Sequence, residues 1–167
     1  MFSLLLFFSV SIMIGKELDD VDIALLKLLQ QNGELSHREL ALKVHRAVAT
    51  IHERVKRLKE MGYIKRTVAI LDRKKINRNL IAFSQVLLSD HTHETLGNFE
   101  REVSKFPEVM ECFQMTGSFD FILRIATSDM DTYHDFYRNK LSLLPNITTV
   151  QSFFVLSETK SDTAYPL

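Results

Sequence analysis

The sequence predicts an α+β protein in which an N-terminal helix-turn-helix domain of the winged-helix type precedes a ferredoxin-like βαββαβ domain. Apolar residues recur at helical spacing between residues 19 and 61. Beyond residue 78, strand-like runs alternate with helical ones in the order βαββαβ. The predicted divisions are a leader of uncertain status (1–15), the helix-turn-helix domain (16–66), a linker strand and hinge (67–79) and the ferredoxin-like domain (80–167).

Three short helices and a strand are predicted in the first domain. The helices cover residues 20–32, 37–44 and 47–61. The first has Asn32-Gly33 as its C-cap, and Ser36 with Glu39 forms a capping box before the second. The third helix is predicted to bury one stripe of apolar side chains: Val48, Ile51, Val55 and Leu58. Residues 64–71 alternate in the manner of a strand.

The second domain is predicted to contain four strands and two helices. The strands cover residues 80–88, 109–116, 119–127 and 147–157, and the helices cover 94–106 and 130–143. Gly117-Ser118 is the predicted tight turn between the second and third strands. Pro107 and Pro145 fall in helix-to-strand connections, where no ladder N–H is lost.

The charge of the chain divides between these two parts. Its 167 residues hold 21 Lys+Arg and 21 Asp+Glu, so the formal net charge is zero. Residues 1–78 nevertheless carry a net +6 and residues 79–167 a net −6. This asymmetry predicts that the first part meets a polyanion. The single Cys112 excludes an internal disulfide framework and a thiolate zinc site, and fits a reducing cytoplasm.

The excess of positive charge is concentrated around the predicted third helix. Residues 43–66 hold eight basic and two acidic side chains. In a helix-turn-helix, the second helix of the motif, here the predicted third helix of the chain, enters the major groove of duplex DNA. Its first turns meet base edges and its cations meet phosphates. A merely solvated basic face is the alternative. The residues expected to face DNA are Arg46, Ala47, Ala49, Thr50, His52, Glu53, Arg54 and Arg57, and neutralising Arg57 is expected to flatten the salt dependence of binding.

At this point the motifs resemble those of the Lrp/AsnC family of transcriptional regulators. The first set is Leu18-Asp19-Asp20-Val21-Asp22-Ile23, Ser36-x-x-Glu39-Leu40-Ala41-x-x-Val44 and Arg54-Val55-x-Arg57-Leu58-x-x-x-Gly62-Tyr63-Ile64-Lys65. The second set is Thr116-Gly117-Ser118-Phe119-Asp120-Phe121-Ile122-Leu123, Tyr133-x-x-Phe136 and Leu144-Pro145-x-Ile147. Together they cover about residues 15–167 in the order that the family has them.

The resemblance implies a homodimer, assembling further into octamers, that binds double-stranded DNA and a small effector, commonly an amino acid. The strand after the third helix would pair with its mate in the dimer. The effector would bind between dimers at the turn carrying Gly117 and Asp120, where backbone N–H groups hold a carboxylate and the aspartate holds an ammonium. The implied effector-binding residues are Thr116, Gly117, Ser118, Phe119, Asp120, Met130, Phe153 and Phe154.

The turn into the third helix departs from the family pattern. Where the family usually has Val-Gly-Leu-Ser, this chain has Val44-His45-Arg46-Ala47. Glycine tolerates left-handed backbone and serine caps a helix, so we expect strain at His45 and an uncapped helix after Ala47, each costing about 0.5–2 kcal/mol.

The remaining candidate sites favour a regulator without enzymatic activity, resident cofactor or metal. His91 and His93 have no further His or Cys nearby to complete a metal site. Asp120 lacks the partner groups of a catalytic carboxylate, so we expect it to bind an effector or stabilise its turn. Cys112 is expected to face a core or an interface. The alternative from another class is a ferredoxin-like small-molecule-binding protein or enzyme whose helical head binds proteins.

The first fifteen residues carry no charge and invite a signal-peptide interpretation. No basic n-region precedes the apolar stretch, which is shorter than the roughly 20 residues of a membrane-spanning helix. We therefore expect a cytoplasmic protein without a membrane partner, whose functional start is Met13.

Overall fold

The computed structural model describes residues 18–167, so the predicted leader (1–15) lies outside the described residues. The chain divides into two compact units: residues 18–69 with the tail 161–167, and residues 70–160. In the described part of the chain, no helix is both long and apolar enough to cross a membrane.

The first unit is built from three α-helices. They are α1 (Asp20–Gln31), α2 (His37–Val44) and α3 (Val48–Glu60), each within one residue of its predicted bounds. The predicted capping box holds the start of α2: the Ser36 Oγ accepts the Glu39 N–H at 3.3 Å, and Glu39 accepts the Ser36 N–H at 2.8 Å. The three helices meet in one core of fully or almost fully buried side chains: Leu25, Leu40, Ala41, Ile51, Val55 and Leu58.

One local prediction for the first unit, the burial of Val48, was wrong. Val48 is 47% exposed, because it lies in the first turn of α3, beyond the buried stripe that Ile51 begins. The predicted C-cap of α1 is confirmed at Asn32, and a Cβ at Gly33 would lie 2.7 Å from Thr67 Cγ2, so close approach explains the glycine. Residues 64–71 pair with no other segment of the described chain, and their pairing with a second copy stays a prediction.

The second unit is the predicted ferredoxin-like fold. Its elements are β1 (Leu80–Leu88), α4 (His93–Val103), β2 (Val109–Gln114), β3 (Phe121–Thr127), α5 (Met130–Asn139), a 3-10 turn (Leu141–Leu143) and β4 (Ile147–Phe154). The strands form one antiparallel sheet in the order β2-β3-β1-β4. This order places β1 and β3 in the centre, where both are most completely buried.

Helices α4 and α5 cover one face of this sheet. Phe99 and Val103 of α4, and Tyr133 and Phe136 of α5, pack against alternate strand residues: Ala82, Val86, Leu88, Phe121, Leu123 and Ile125. The period-two alternation directs the intervening residues to the other face, which no helix or strand of the second unit covers. That second face carries two half-exposed phenylalanines, Phe113 and Phe153.

Several elements of the second unit end earlier than predicted. β2 stops at Gln114 and β3 starts at Phe121. A six-residue loop, 115–120, therefore joins them instead of the predicted two-residue turn. α4 ends at Val103 and β4 at Phe154. α5 ends at Asn139, and a separate 3-10 turn completes the segment that was predicted as one helix.

The C-terminal tail belongs to the first unit. The Gln30 side chain of α1 donates to the Tyr165 carbonyl at 2.8 Å and accepts from the Tyr165 N–H at 2.9 Å. A single glutamine therefore satisfies both backbone groups of Tyr165, which fixes the tail against α1.

Candidate functional site

The turn between α2 and α3 is an exposed, positively charged corner of the first unit. His45 ends α2 with φ 52° and ψ 52°, the left-handed conformation expected from its position. Ala47 precedes α3 without a side-chain cap, which confirms the second expectation for this turn. Arg46 lies between them and, within the described residues, has no carboxylate partner; its guanidinium reaches only the His45 carbonyl, at 3.0 Å.

A shallow hollow beside this turn is lined by residues from both helices. Its walls are Arg38, Ala41, Leu42, His45, Arg46, Ala47 and Val48. Leu42 and Val48 are exposed although they are apolar. Arg38 was not among the predicted site residues, and its position on α2, one helical turn before Leu42, is the sequence signal that could have found it.

The outer face of α3 presents most of the predicted DNA-facing residues to solvent. Ile51, Val55 and Leu58 turn inward. Six of the predicted residues are exposed, either just before α3 or on its first two turns: Arg46, Ala47, Ala49, Thr50, His52 and Glu53. Of these six, Arg46 and Ala47 line the hollow at the turn, and Thr50 and Glu53 line a second hollow on α3.

Arg54 and Arg57 line one surface hollow with Thr50 and Glu53, and their guanidiniums pair with carboxylates at the start of α1. Arg54 Nη1 is 2.6 Å from Asp19 Oδ2 and 2.9 Å from Asp22 Oδ1, and Arg57 pairs with the other oxygen of Asp22. The Arg57 Nε is buried and has no hydrogen-bond partner within residues 18–167. Both guanidiniums are thus committed to carboxylates of the same unit.

Asp22 has a structural role that the sequence analysis did not predict. It is fully buried, and its two oxygens contact Arg54 and Arg57, which replace the water that burial removes. Asp22 also completes a capping box with Asp19, whose side chain accepts the Asp22 N–H at 2.9 Å. The signal in the sequence was the spacing of Asp19-x-x-Asp22 on one helix and Arg54-x-x-Arg57 on another, which puts each pair on one face.

The electrostatics around Asp19 agree with this arrangement. The hydrogen bond from Arg54, followed by the one from the Asp22 backbone, lowers the pKa of Asp19 to about 2. The hydrogen bonds that Arg54 donates to Asp19 and Asp22 raise the pKa of Arg54. Asp19 is therefore ionised at neutral pH, and its ion pair with Arg54 holds α3 against the start of α1.

The loop 115–120 of the second unit is closed by backbone hydrogen bonds around Asp120. The Met115 N–H donates to the Asp120 carbonyl at 2.7 Å, and the Asp120 N–H donates to the Val86 carbonyl at 2.9 Å. Gly117 lies at the exposed tip with φ +118°, a conformation that L side chains rarely adopt. Thr116, Gly117 and Ser118 are exposed at this tip.

The carboxylate of Asp120 already has two partners. Its Oδ2 accepts the Leu88 N–H at 2.8 Å, and its Oδ1 lies 3.0 Å from His91 Nε2. The Asp120 side chain is 15% exposed and that of His91 is 59% exposed. Asp120 therefore ties the loop to the end of β1, and the exposed His91 covers its second oxygen.

The other predicted effector residues do not join this loop within one chain. The register pairs Leu80 with Thr127, so the start of β1 lies beside the end of β3 and away from the loop. Met130 follows the end of β3, whereas the loop precedes its start. At roughly 3.3 Å per residue, the two ends of this strand are about 20 Å apart. Phe153 pairs with Phe83 near the same end, and Phe154 stacks edge-on against Tyr133 with ring centroids 5.0 Å apart.

Cys112 behaves as expected of a buried strand residue. It lies on β2 and packs against the core of the second unit. Burial, with a smaller contribution from the charge of Glu100, raises the pKa of the Cys112 thiol to about 11. The thiol is therefore protonated and unreactive at neutral pH.

Comparison with known proteins matches both units. A family described as winged helix-turn-helix DNA-binding covers residues 18–65, and the Lrp/AsnC ligand binding domain covers residues 81–165. The Bkd operon transcriptional regulator of Pseudomonas aeruginosa is 36% identical, over 90% of this chain and 99% of that protein. The transcriptional regulator AzlB of Bacillus subtilis is 34% identical, over 92% of this chain and 98% of that protein.

Solved structures agree with these sequence matches. A transcriptional regulator of Neisseria meningitidis, crystallised in complex with L-methionine, superposes with a TM-score of 0.86 at 33% identity, covering 90% of this chain and 97% of that one. AsnC of Escherichia coli superposes with a TM-score of 0.83 at 21% identity, covering 90% of this chain and all of that one, and so supports the fold alone.

Proposed function

Because the chain belongs to the Lrp/AsnC family of transcriptional regulators, we propose that its exposed α2–α3 corner binds duplex DNA and that its sheet unit binds an amino acid. The observation that carries the first part is an Arg46 without a carboxylate partner among residues 18–167, combined with an outward-facing first half of α3. Helix-turn-helix proteins place this part of the second helix in the major groove.

The proposed DNA contacts fall into two kinds. Arg46, together with Arg38 beside the same hollow, supplies cations for phosphates. Thr50, His52 and Glu53 lie on the exposed first turns of α3, from which side chains reach base edges. Ala47 and Ala49 have short side chains, which allow the helix to approach the groove closely.

We assign Arg54 and Arg57 a different role from the one expected of them. Their charges are balanced by Asp19 and Asp22, so releasing either arginine to a phosphate would leave a buried carboxylate without its partner. These arginines fix the orientation of α3 relative to α1, and thereby position the residues that meet DNA.

The proposed effector is a free amino acid. This part is supported by the L-methionine complex of the Neisseria relative and by the exposed Gly117 turn above Asp120. Backbone N–H groups at such a turn hold a carboxylate, and an aspartate holds an ammonium. His91 occupies one oxygen of Asp120, so the ammonium would have to displace or join this imidazole.

We further propose that copies of this chain assemble through the uncovered sheet face. Phe113 and Phe153 expose about half of their surface there. Assembly would also allow Met130 and Phe153 of one copy to approach the loop of another, which the register prevents within a single chain. The effector site would then be shared between copies, and its occupancy would alter their association.

The DNA-binding part is tested by titrating fluorescent duplex DNA with the full chain at several salt concentrations. We expect the logarithm of the binding constant to fall linearly with the logarithm of salt concentration, because phosphate contacts release counterions. Failure to bind any duplex at low salt would contradict the proposal.

The effector part is tested by a thermal-shift screen of the twenty amino acids. We expect at least one to raise the unfolding temperature, since a ligand that binds only the native state stabilises it. Asp120→Asn should lose this response while its amide oxygen still accepts the Leu88 N–H, and the exposed Asp131→Asn should retain it. An unchanged response in Asp120→Asn, or no response to any amino acid, would contradict the assignment.

A further inference from the structure

Two histidines from different helices meet on the surface of the first unit. His37 is the first residue of α2, and His52 lies in the second turn of α3. Their Nδ1 atoms are 3.3 Å apart, and their ring centroids are 5.0 Å apart at an interplanar angle of 77°. Neither ring is part of the hydrophobic core, so apolar burial does not explain this arrangement.

The distance between the two Nδ1 atoms matches the distance between two histidine nitrogens that bind one metal ion. In tetrahedral zinc sites each histidine nitrogen lies about 2.0–2.1 Å from the ion, so two such ligands are roughly 3.3–3.4 Å apart. The long 3.3 Å contact is also compatible with a single shared proton between the rings. A metal ion requires a lone pair on both Nδ1 atoms, whereas a shared proton requires a lone pair on one.

The backbones that carry the two histidines are fixed by the fold. The Ser36–Glu39 capping box sets the start of α2, where His37 lies. Leu40 of α2 and Ile51 of α3, close in sequence to the two histidines, are both fully buried in the same core. The spacing between the rings therefore depends on packed helices and requires little ordering on binding an ion.

We propose that His37 and His52 form a two-histidine site for a divalent transition-metal ion of the zinc, nickel or copper class. Imidazole nitrogen suits these ions, whereas magnesium and calcium prefer oxygen ligands. Water molecules would complete the coordination, because no group of three or more metal-ligating side chains occurs among residues 18–167. A bound ion would link α2 to α3.

Zinc titration of the full, untagged chain by isothermal calorimetry tests this site. We expect one zinc ion per chain, and no equivalent binding of magnesium. His37→Gln and His52→Gln should each abolish the binding, whereas His134→Gln, an exposed histidine of α5, should leave it unchanged. Circular dichroism should show that these surface variants remain folded.

Ring-nitrogen NMR signals provide a second measurement. Zinc should shift the Nδ1 signals of His37 and His52, and acidification should reverse the shifts because metals bind only the neutral imidazole. Absence of binding in the unsubstituted protein, binding that persists in either His→Gln variant, or shifts confined to other histidines would overturn the proposal.

Discussion

The buried Asp22 determines how α3 is held in the first unit. A carboxylate that is fully excluded from water is stable as an anion only if cations and hydrogen bonds replace its hydration. Arg54 and Arg57 provide these on one side, and the N–H of Asp19 provides a longer bond of 3.3 Å on the other. Arg54 and Arg57, which the sequence analysis expected to face DNA, thus have an internal role.

We expect Asp22→Asn to lower the free energy of unfolding by about 1–3 kcal/mol, the usual cost of leaving buried hydrogen-bonding groups with poorer partners. The measurement is chemical denaturation followed by circular dichroism. Glu53→Gln, an exposed neutral replacement on α3, is the control and should change stability by about 0.5 kcal/mol or less. Equal stability of the two variants would show that the Asp22 cluster contributes little.

At the scale of single elements, the start of α3 lacks a favourable N-cap. Ala47 has the extended backbone of an N-cap residue, with φ −67° and ψ 143°, but offers no side-chain acceptor. Within residues 18–167, the N–H groups of this first turn therefore receive no cap from the Ala47 side chain, at the surface proposed for DNA. The same N–H groups and the helix dipole attract anions.

Ala47→Ser should raise the stability of the first unit by about 1 kcal/mol, because a serine hydroxyl at this position accepts the Thr50 N–H. Thermal and urea unfolding measure the change. Ala49→Ser, two residues further along α3, is the matched control; it introduces the same hydroxyl inside the helix and should not stabilise. A gain of the same size in both variants would show that the added hydroxyl acts by some other route.

Elements with strong periodic patterns were predictable from the sequence, and their ends were less so. The observed bounds of α2 and β1 are the predicted ones. Caps mark the ends of α2, and the alternation of buried residues marks those of β1. The predicted helix 130–143 breaks at Asn139, since no sequence pattern distinguishes a last α-turn from a 3-10 turn. The strand predicted at 64–71 requires a hydrogen-bonding partner, and its alternation alone could not reveal whether the chain supplies one.

The candidate sites were only partly predictable for a similar reason. Exposure of Arg46 and Thr50 follows from helical periodicity, which is a local property. The pairing of Arg54 with Asp22 spans 32 residues and depends on how α1 and α3 pack. Likewise, the separation of Met130 from the Gly117 turn follows from strand register, which fixes distances along the sheet.

At the scale of the whole molecule, assembly is expected to depend on the uncovered sheet face. Phe113→Glu and Phe153→Glu should each shift the protein toward monomer in light scattering coupled to gel filtration, because a buried charge without a partner opposes association. The control is Leu143→Glu in the 3-10 turn, an apolar residue that is more exposed than either phenylalanine. If the control dissociates the assembly and the phenylalanine variants do not, another surface forms the interface.

The division of charge gives the whole chain two halves with different partners. The net +6 of residues 1–78 favours a polyanion, and the net −6 of residues 79–167 keeps the sheet unit from competing for phosphates. Part of the positive charge is nevertheless used internally by Asp19 and Asp22. Arg46, which has no carboxylate partner in the described part of the chain, is expected to contribute to the salt dependence of DNA binding.

Comparing the salt dependence of DNA binding for Arg46→Gln and Arg57→Gln distinguishes these two roles. Loss of one phosphate contact lowers the slope of log binding constant against log salt by about one for each helix-turn-helix head. We predict this reduction for Arg46→Gln, and an unchanged slope with reduced stability for Arg57→Gln. A reduced slope for Arg57→Gln together with an unchanged slope for Arg46→Gln would contradict the assignment of DNA contacts to the α2–α3 corner.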